Sequence, residues 1–408
     1  MFMVLNHSIS VFNEIGKLKS VLLHRPGEEI ENIVPDYLGR LLFDEIAYLE
    51  QARREHDQFA DILKKEGVEV LYLTDLMVEV LKDQKIRDEF LKDFIREGKA
   101  GTEGLKEALL EFFDQYSPED LIIKCIAGVR KEELKDIRPK SLGDMVKNPY
   151  PFYLDPIPNL YFQRDPFASI GHGISLNVMA NETRNRETLF AKYIFKYHPR
   201  FKDVPKWYDR DNTYSIEGGD ILVLSKDVVA IGISDRTSPM AIETLSSNIL
   251  NSEQGFKTVL AFDIPKARAF MHLDTVFTMV DYDQFTIYPG IENPLDVYSI
   301  TLGKNKELNI KHEQERLSAI LKKYLKLSAV NLIRCGDGDA IAAGREQWND
   351  GSNTLAISPG KVVCYNRNHV TNKALARNNV EVLEFESYEL SRGRGGPRCM
   401  SMPLIREF

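Results

Sequence analysis

The residues best suited to chemistry fall in four short segments. They are Asn159-Leu-Tyr-Phe-Gln-Arg-Asp165-Pro, Ile216-Glu217-Gly-Gly-Asp220, Met271-His272-Leu-Asp274-Thr275 and Arg392-Gly-Arg394-Gly-Gly-Pro-Arg-Cys399-Met-Ser-Met-Pro403. Each alone has a plain reading. Glu-Gly-Gly-Asp is a turn before a hairpin, His272 a hydrogen-bonded structural histidine, and Cys399 a small buried hydrophobe. His272 and Asp274, two residues apart, would share one face of a strand. No second pair matches their spacing as a metal half-site. Together the segments make a coherent set. A cysteine nucleophile needs a base nearby and surroundings that favour thiolate. His272 can move protons near neutral pH, and Glu217 can orient its imidazole. Two further carboxylates, Asp165 and Asp274, exceed what a peptidase needs. They suit a planar cation, because guanidinium pairs with carboxylates through parallel hydrogen bonds. Arg184, Arg236 and Arg394 suit a carboxylate at the substrate's other end. Gly393 to Gly396 would let a loop carry Arg394 and Cys399 over the site. The chemistry this describes is attack by sulfur on a guanidinium carbon.

The elements that must position these residues form a weak repeat. From Ile221 to Ile233 two apolar runs flank Ser225-Lys226-Asp227, a hairpin pattern. Ser238-Pro239 then opens a helix whose Ile242, Leu245 and Ile249 form one stripe, and Thr258 to Ile264 returns as a strand. The order strand, strand, helix, strand recurs at Thr354–Phe385, around the turn Pro359-Gly360. A third copy starts at Met271, with a helix over about His312 to Leu325 and a strand at Val330 to Ile333. A fourth starts at Leu160, with the apolar run Ile174 to Met179 and a helix near Glu187 to Tyr197. The first holds Val21 to Leu23, a long helix around Leu41 to Leu63 with Leu42, Ile46, Leu49, Phe59 and Leu63 inward, and the strand Val68 to Leu73. Five units, each exposing an apolar edge alone, predict a closed ring; an ordinary α/β sheet with crossovers is the competing reading. The stretch from about Asp75 to Lys147 breaks the repeat and reads as helical. The expected division is therefore an α/β propeller over 1–74 and 149–408, interrupted by a helical subdomain over 75–148.

Composition narrows the function classes. The chain has 408 residues, 43% hydrophobic and 28% charged, with net charge −8. That is globular and lacks the basic surface a nucleic-acid or anionic-membrane binder wants. No apolar run approaches the roughly 20 residues of a membrane span. Four cysteines without a CxxC pattern fit a reduced, cytoplasmic protein rather than a zinc ribbon.

The sequence resembles the arginine deiminases of the guanidino-group-modifying, or pentein, superfamily. The likeness is carried by Asn159–Phe167, Arg186-Glu-Thr-Leu-Phe190, Ile216–Asp220, Met271–Thr275, Arg345-Glu-Gln-Trp-Asn-Asp-Gly-Ser-Asn353 and Arg398–Pro403. It implies an α/β propeller of five pseudosymmetric ββαβ units with an inserted helical domain. It implies Cys399 as nucleophile, His272 as general acid and base with Glu217 beside it, and Asp165 and Asp274 on the guanidinium. Arg184, Arg236, Arg394 and Asn159 would hold the α-carboxylate end, with Phe162 and Gly393 lining the pocket; the choice of Arg184 over Arg186 rests on spacing. The implied substrate is L-arginine, hydrolysed to citrulline and ammonia without metal or organic cofactor. Agmatine hydrolysis, amidino transfer and a non-catalytic propeller stay open as alternatives, as does self-association through the charge-rich helices.

Overall fold

The computed structural model describes residues 7–134, 142–146, 149–267, 269–292 and 295–407. Five times, an antiparallel strand pair is followed by a helix and then by a strand parallel to the second of the pair. The units run Phe167–Ile170, Gly173–Leu176, helix Glu187–Tyr197, Lys206–Tyr208; then Ile221–Ser225, Val228–Ile233, helix Pro239–Leu250, Thr258–Asp263. They continue with Phe277–Met279, Gln284–Ile287, helix Leu317–Leu325, Asn331–Arg334, and with Leu355–Ser358, Lys361–Tyr365, helix His369–Arg377, Glu381–Phe385. The remaining unit is built from both ends of the chain. Leu18–Leu23 pairs antiparallel with Met402–Arg406, then parallel with Glu69–Tyr72 after helix Leu49–Lys65. The sheets are separate; none closes on itself among the described residues.

Local chemistry sets many boundaries. Ser238 caps its helix by accepting from Ala241 N–H at 3.2 Å, with Pro239 in the first turn; such a cap contributes about 1 kcal/mol. Gly360 turns at φ +68° between its two strands, a conformation glycine adopts without Cβ strain.

Two helices differ from the sequence expectation. The long helix begins at Leu49, not near Leu41: Leu42 lies at φ 56° past the short helix Leu38–Leu41, and Ile46 is exposed. Its start is fixed from outside, where Tyr48 N–H donates to Glu389 Oε2 at 2.8 Å. His312 lies in a strand, Leu308–Glu313, paired with Asp296–Leu302; this hairpin extends one sheet to five strands. Glu313 ends that strand and accepts from Ser299 (2.9 Å), Lys323 (2.7 Å) and Tyr324 (2.7 Å), joining hairpin to helix.

The stretch after Glu69–Tyr72 is helical: Leu73–Leu81, Gln84–Glu97, Glu103–Asp114 and Pro118–Ala127, three of them capped by Asp83, Thr102 and Ser117. Its apolar faces share one core with helix Glu187–Tyr197, through Met77, Phe90, Phe94 and Phe113 against Phe190 and Tyr193. Residues 135–141 and 147–148 of this expected insertion lie outside the described residues. No described helix is long and apolar enough to cross a membrane.

Candidate active site

The site residues come from one structural position, used five times. Asp165 precedes strand Phe167–Ile170, Glu217 precedes Ile221–Ser225, and His272 and Asp274 precede Phe277–Met279. Asp350 and Asn353 precede Leu355–Ser358, and Cys399 precedes Met402–Arg406. The segment just ahead of a unit's first strand is free of ladder hydrogen bonds, so its side chains and backbone can turn toward one place. Cys399, His272, Glu217, Asp165 and Asp274 are all buried.

His272 and Asp274 do not sit on a strand. His272 is the extended residue ahead of a four-residue helix, Leu273–Val276, that carries Asp274 in its first turn. That helix starts on Asp220, whose Oδ1 accepts from Leu273 N–H at 2.8 Å while Oδ2 accepts from Ser234 Oγ–H at 2.7 Å. The Glu-Gly-Gly-Asp segment thereby has three tasks. Glu217 Oε2 meets His272 Nε2 at 2.8 Å, Asp220 anchors the helix, and Gly219 leaves room for the imidazole. A Cβ on Gly219 would lie 2.6 Å from His272 Nδ1.

Around this histidine the charges interlock. Arg184 Nη1 donates to Asp165 Oδ2 at 2.9 Å and lies 3.8 Å from Glu217 Oε2, while its Nε and Nη2 donate to Glu187 at 2.9 and 2.8 Å. Among the described residues Asp165 Oδ1 has no hydrogen-bond partner; it stands 3.8 Å from His272 Nδ1. Arg236 Nη1 lies 3.7 Å from Glu217 Oε1 and has no hydrogen bond among the described residues. Burial opposes charge on His272, but Asp165, the Glu217 hydrogen bond and Asp220 outweigh it and raise the imidazole to about 9. Burial likewise opposes charge on Glu217; the bond from His272 and the cations Arg236 and Arg184 hold it below the carboxylate range. Oxygen and nitrogen atoms of Asp165, Glu217 and His272 lie within 4.8 Å of one another, close enough for a metal ion. The guanidinium of Arg184, bonded to one of these carboxylates and near another, supplies the positive charge there instead.

On the other side stands the cysteine. Cys399 Sγ is 3.7 and 3.9 Å from the two oxygens of Asp274. Asn353 joins them: its Oδ1 accepts from Cys399 N–H and its Nδ2 donates to Asp274 O, both at 3.0 Å. Burial, then Asp274, Asp165 and Asp350, push the Cys399 thiol well up. A cation placed among these carboxylates would reverse that balance.

Asn159, Phe162 and Gly393 are all buried. Asn159 Nδ2 donates to Leu41 O at 2.8 Å. Gly393 and Gly395 pack so closely that a Cβ would lie 1.8 Å from Tyr161 Oη and 2.1 Å from the Phe162 ring. These glycines serve close packing; the loop Gly393–Gly396 is buried, not loose. Arg394, at φ 62°, stacks on Trp348 at 3.5 Å and lies 3.7 Å from Asp44 Oδ2. It lines a cavity of about 730 Å³ with Arg345, Trp348, Arg367 and Tyr388. Arg186 points elsewhere, donating to Asp155 O and stacking on Phe94. Sequence reasoning missed Asn353, Asp350, Arg398 and Trp348. The signal was present: Asp350 and Asn353 lie in a quoted motif, at the same place in their unit as Asp165 in its own.

A buried constellation of thiol, imidazole and several carboxylates thus sits at one place on this α/β fold. Solved structures share the fold. They include a DDAH from Pseudomonas aeruginosa in complex with citrulline (TM-score 0.51, 13% identity, 95% of this chain and 99% of that one). An amidinotransferase of saxitoxin biosynthesis from Microseira wollei is another (TM-score 0.53, 13% identity, 98% of each chain). The arginine deiminase family model matches residues 39–406. An arginine deiminase from Clostridium perfringens is 58% identical over 98% of this chain and 99% of its own. One from Bacillus cereus is 53% identical over 99% of this chain and 100% of its own. The chain belongs to the arginine deiminase family.

Proposed function

We propose that this protein hydrolyses L-arginine to L-citrulline and ammonia through a covalent intermediate on Cys399. The observation that carries the reading is the pair of carboxylates flanking the site. Among the described residues Asp165 Oδ1 is buried without a hydrogen-bond partner, and Asp274 faces the Cys399 sulfur. Arg184 bonds only Oδ2 of Asp165 and Arg398 only Oδ2 of Asp274, so each carboxylate keeps an oxygen that the planar fork of a guanidinium can meet. Arriving between them, it lowers the cost of ionising the thiol, whose proton leaves to solvent. Sulfur then attacks the guanidinium carbon at a fixed distance, the proximity effect. His272, charged at neutral pH with Glu217 behind it, gives its proton to the departing nitrogen and releases ammonia, leaving an amidino thioether. The neutral imidazole next takes a proton from water. The hydroxide adds to the same carbon, the C–S bond breaks as the added oxygen gives up its remaining proton to solvent, and neutral citrulline leaves with the thiolate restored.

Arg394, Arg236 and Arg184 are assigned to the α-carboxylate, Arg184 by giving up one of its bonds to Asp165 or Glu187, with Asn159, Phe162 and Gly393 assigned to that end. The five sheet units are assigned to one propeller around the site, closed by the pairing of Leu18–Leu23 with Met402–Arg406. The helices within 75–148 are assigned to an inserted subdomain, and the four unpaired thiols to a reducing cytoplasm.

A citrulline assay with L-arginine and agmatine side by side tests the reading. We expect turnover of arginine and at most weak use of agmatine, which lacks the carboxylate. Turnover of agmatine alone, or of neither, overturns it. Mass spectrometry of a slowed variant should find the amidino adduct on the peptide containing Cys399.

A further inference from the structure

Arg398, the residue before Cys399, is 1% exposed and donates from each of its three side-chain nitrogens. Its Nη1 donates to Asp274 Oδ2 at 2.7 Å. Nε and Nη2 donate to the two oxygens of Glu14 at 3.0 and 3.1 Å, and Nη2 also donates to Ile221 O at 2.9 Å. Glu14 comes from the segment ahead of the first strand, nearly 400 residues away in sequence, and also accepts from Val223 N–H at 3.1 Å. Arg164 backs the same cluster: its N–H donates to Cys399 O at 3.0 Å and its Nε to Arg398 O at 3.1 Å. Nothing in the hydrolytic scheme above uses these residues, yet they form the wall behind the nucleophile.

We propose that Arg398 and Glu14 are positioning residues: Arg398 turns Asp274 and offsets its charge beside Cys399, and Glu14 limits how much positive charge Arg398 brings there. Asp274 stands within 4 Å of the sulfur through both oxygens, so its charge acts directly on the thiol. A bidentate arginine–carboxylate pair has a fixed plane. Glu14 holds the guanidinium by two nitrogens, which leaves Nη1 to hold one Asp274 oxygen and to present the other toward the site. A buried acid pair facing a thiol would otherwise oppose the thiolate that the chemistry needs. The groups facing Cys399 are Asp274 on its helix, Asp165 and Tyr161 from the segment before Phe167, Asp350 beside Asn353, and Tyr365 on its strand. Arg398 is the cation bonded to the carboxylate nearest the sulfur.

This inference rests on the assignment of Cys399 as nucleophile, but its test needs no turnover. The rate of carbamidomethylation of Cys399, followed by peptide mapping across pH, reads thiolate formation directly. Replacing a charge this close in a buried site moves such a midpoint by about one pH unit, a roughly tenfold change in rate at fixed pH. Glu14→Gln removes an anion, so the midpoint should fall. Arg398→Gln removes a cation, so it should rise, and Arg398→Lys should restore it toward the wild-type value. Opposite signs support the relay; shifts of the same sign, or none while the melting temperature drops, overturn it. If Arg398→Gln does not fold, Glu14→Gln decides alone: a midpoint that stays or rises overturns the proposal. Absence of arginine turnover in the wild type would overturn the hydrolytic reading and leave this comparison intact.

Discussion

The two carboxylates that face the substrate position are held by arginines in different ways. Asp165 is bonded by Arg184, which is also tied to Glu187 at the start of its unit's own helix. Asp274 is bonded by Arg398, which is tied to Glu14 at the far end of the chain. Asp165 lies 3.8 Å from the histidine through Oδ1, an oxygen with no hydrogen bond among the described residues. Asp274 lies beside the sulfur with its backbone joined to Cys399 through Asn353. On the roles proposed above, one arm governs the proton carrier and the other the nucleophile. A single short-range motif cannot hold both, because the two reacting groups must be tuned in opposite senses: the imidazole toward charge, the thiol toward losing its proton.

The largest effect expected is loss of the sulfur itself. Cys399→Ala should reduce ammonia release from arginine by at least about 10⁴-fold, since no other group can form the covalent intermediate; release at the wild-type rate would sink the scheme. The two arms should then separate. Asp274→Asn and Asp165→Asn should each cost about 10³-fold in kcat/KM, because each removes a charge-assisted contact to the guanidinium. Both should lower the pH midpoint of Cys399 alkylation, Asp274→Asn the more, since Asp274 acts on the thiol more strongly than Asp165. Asp165→Asn should also shift the alkaline limb of the rate profile to lower pH, since it removes the anion that most favours the charged imidazole. Identical pH profiles for the two variants would dissolve the distinction. Gly219→Ala comes next: a methyl group 2.6 Å from His272 Nδ1 must displace the ring from Glu217. A loss of about 10²-fold in kcat is expected, with KM little changed, because small misplacements of a catalytic group are costly.

What the sequence disclosed follows the same division. The repeat was legible because its units are built from local signals: apolar runs, a Ser-Pro helix start, and a Pro-Gly turn whose glycine does adopt φ +68°. The strand Leu308–Glu313 was not, because four of its six residues are exposed, Ile310 among them, and its identity comes from pairing with Asp296–Leu302. Nor was the start of the long helix, which a distant glutamate fixes. In the site, reactive residue types named the chemistry. Arg398 and Asn353 carry no reactive group, and their value lies only in what they touch across the chain. Glu14 was invisible for the same reason, since its partner is Arg398.

The smallest expected effect is on stability, where the two arms should respond to pH in opposite directions. Glu14 is buried, yet the cations Arg398 and Arg164 outweigh that cost and lower it from 4.5 to about 2. A group depressed on folding stabilises the fold above its unfolded pKa and loses that contribution as pH falls through the folded value. The Glu14 contribution should be full above about pH 4.5 and fade toward pH 2. His272 is raised from 6.5 to about 9, so its contribution is full below pH 6.5 and fades as pH rises through about 9. Each is on the order of 1–3 kcal/mol. Urea unfolding of Glu14→Gln against wild type should show a gap that narrows between pH 5 and pH 3, roughly the acid half of that window. For His272→Gln the gap should narrow between about pH 7 and pH 10 instead. A Glu14→Gln gap that widens on acidification would mean that Glu14 enters the fold as a neutral acid. Arg398 would then be left with Asp274 as its only counter-charge, and the asymmetry between the arms would be one of geometry alone.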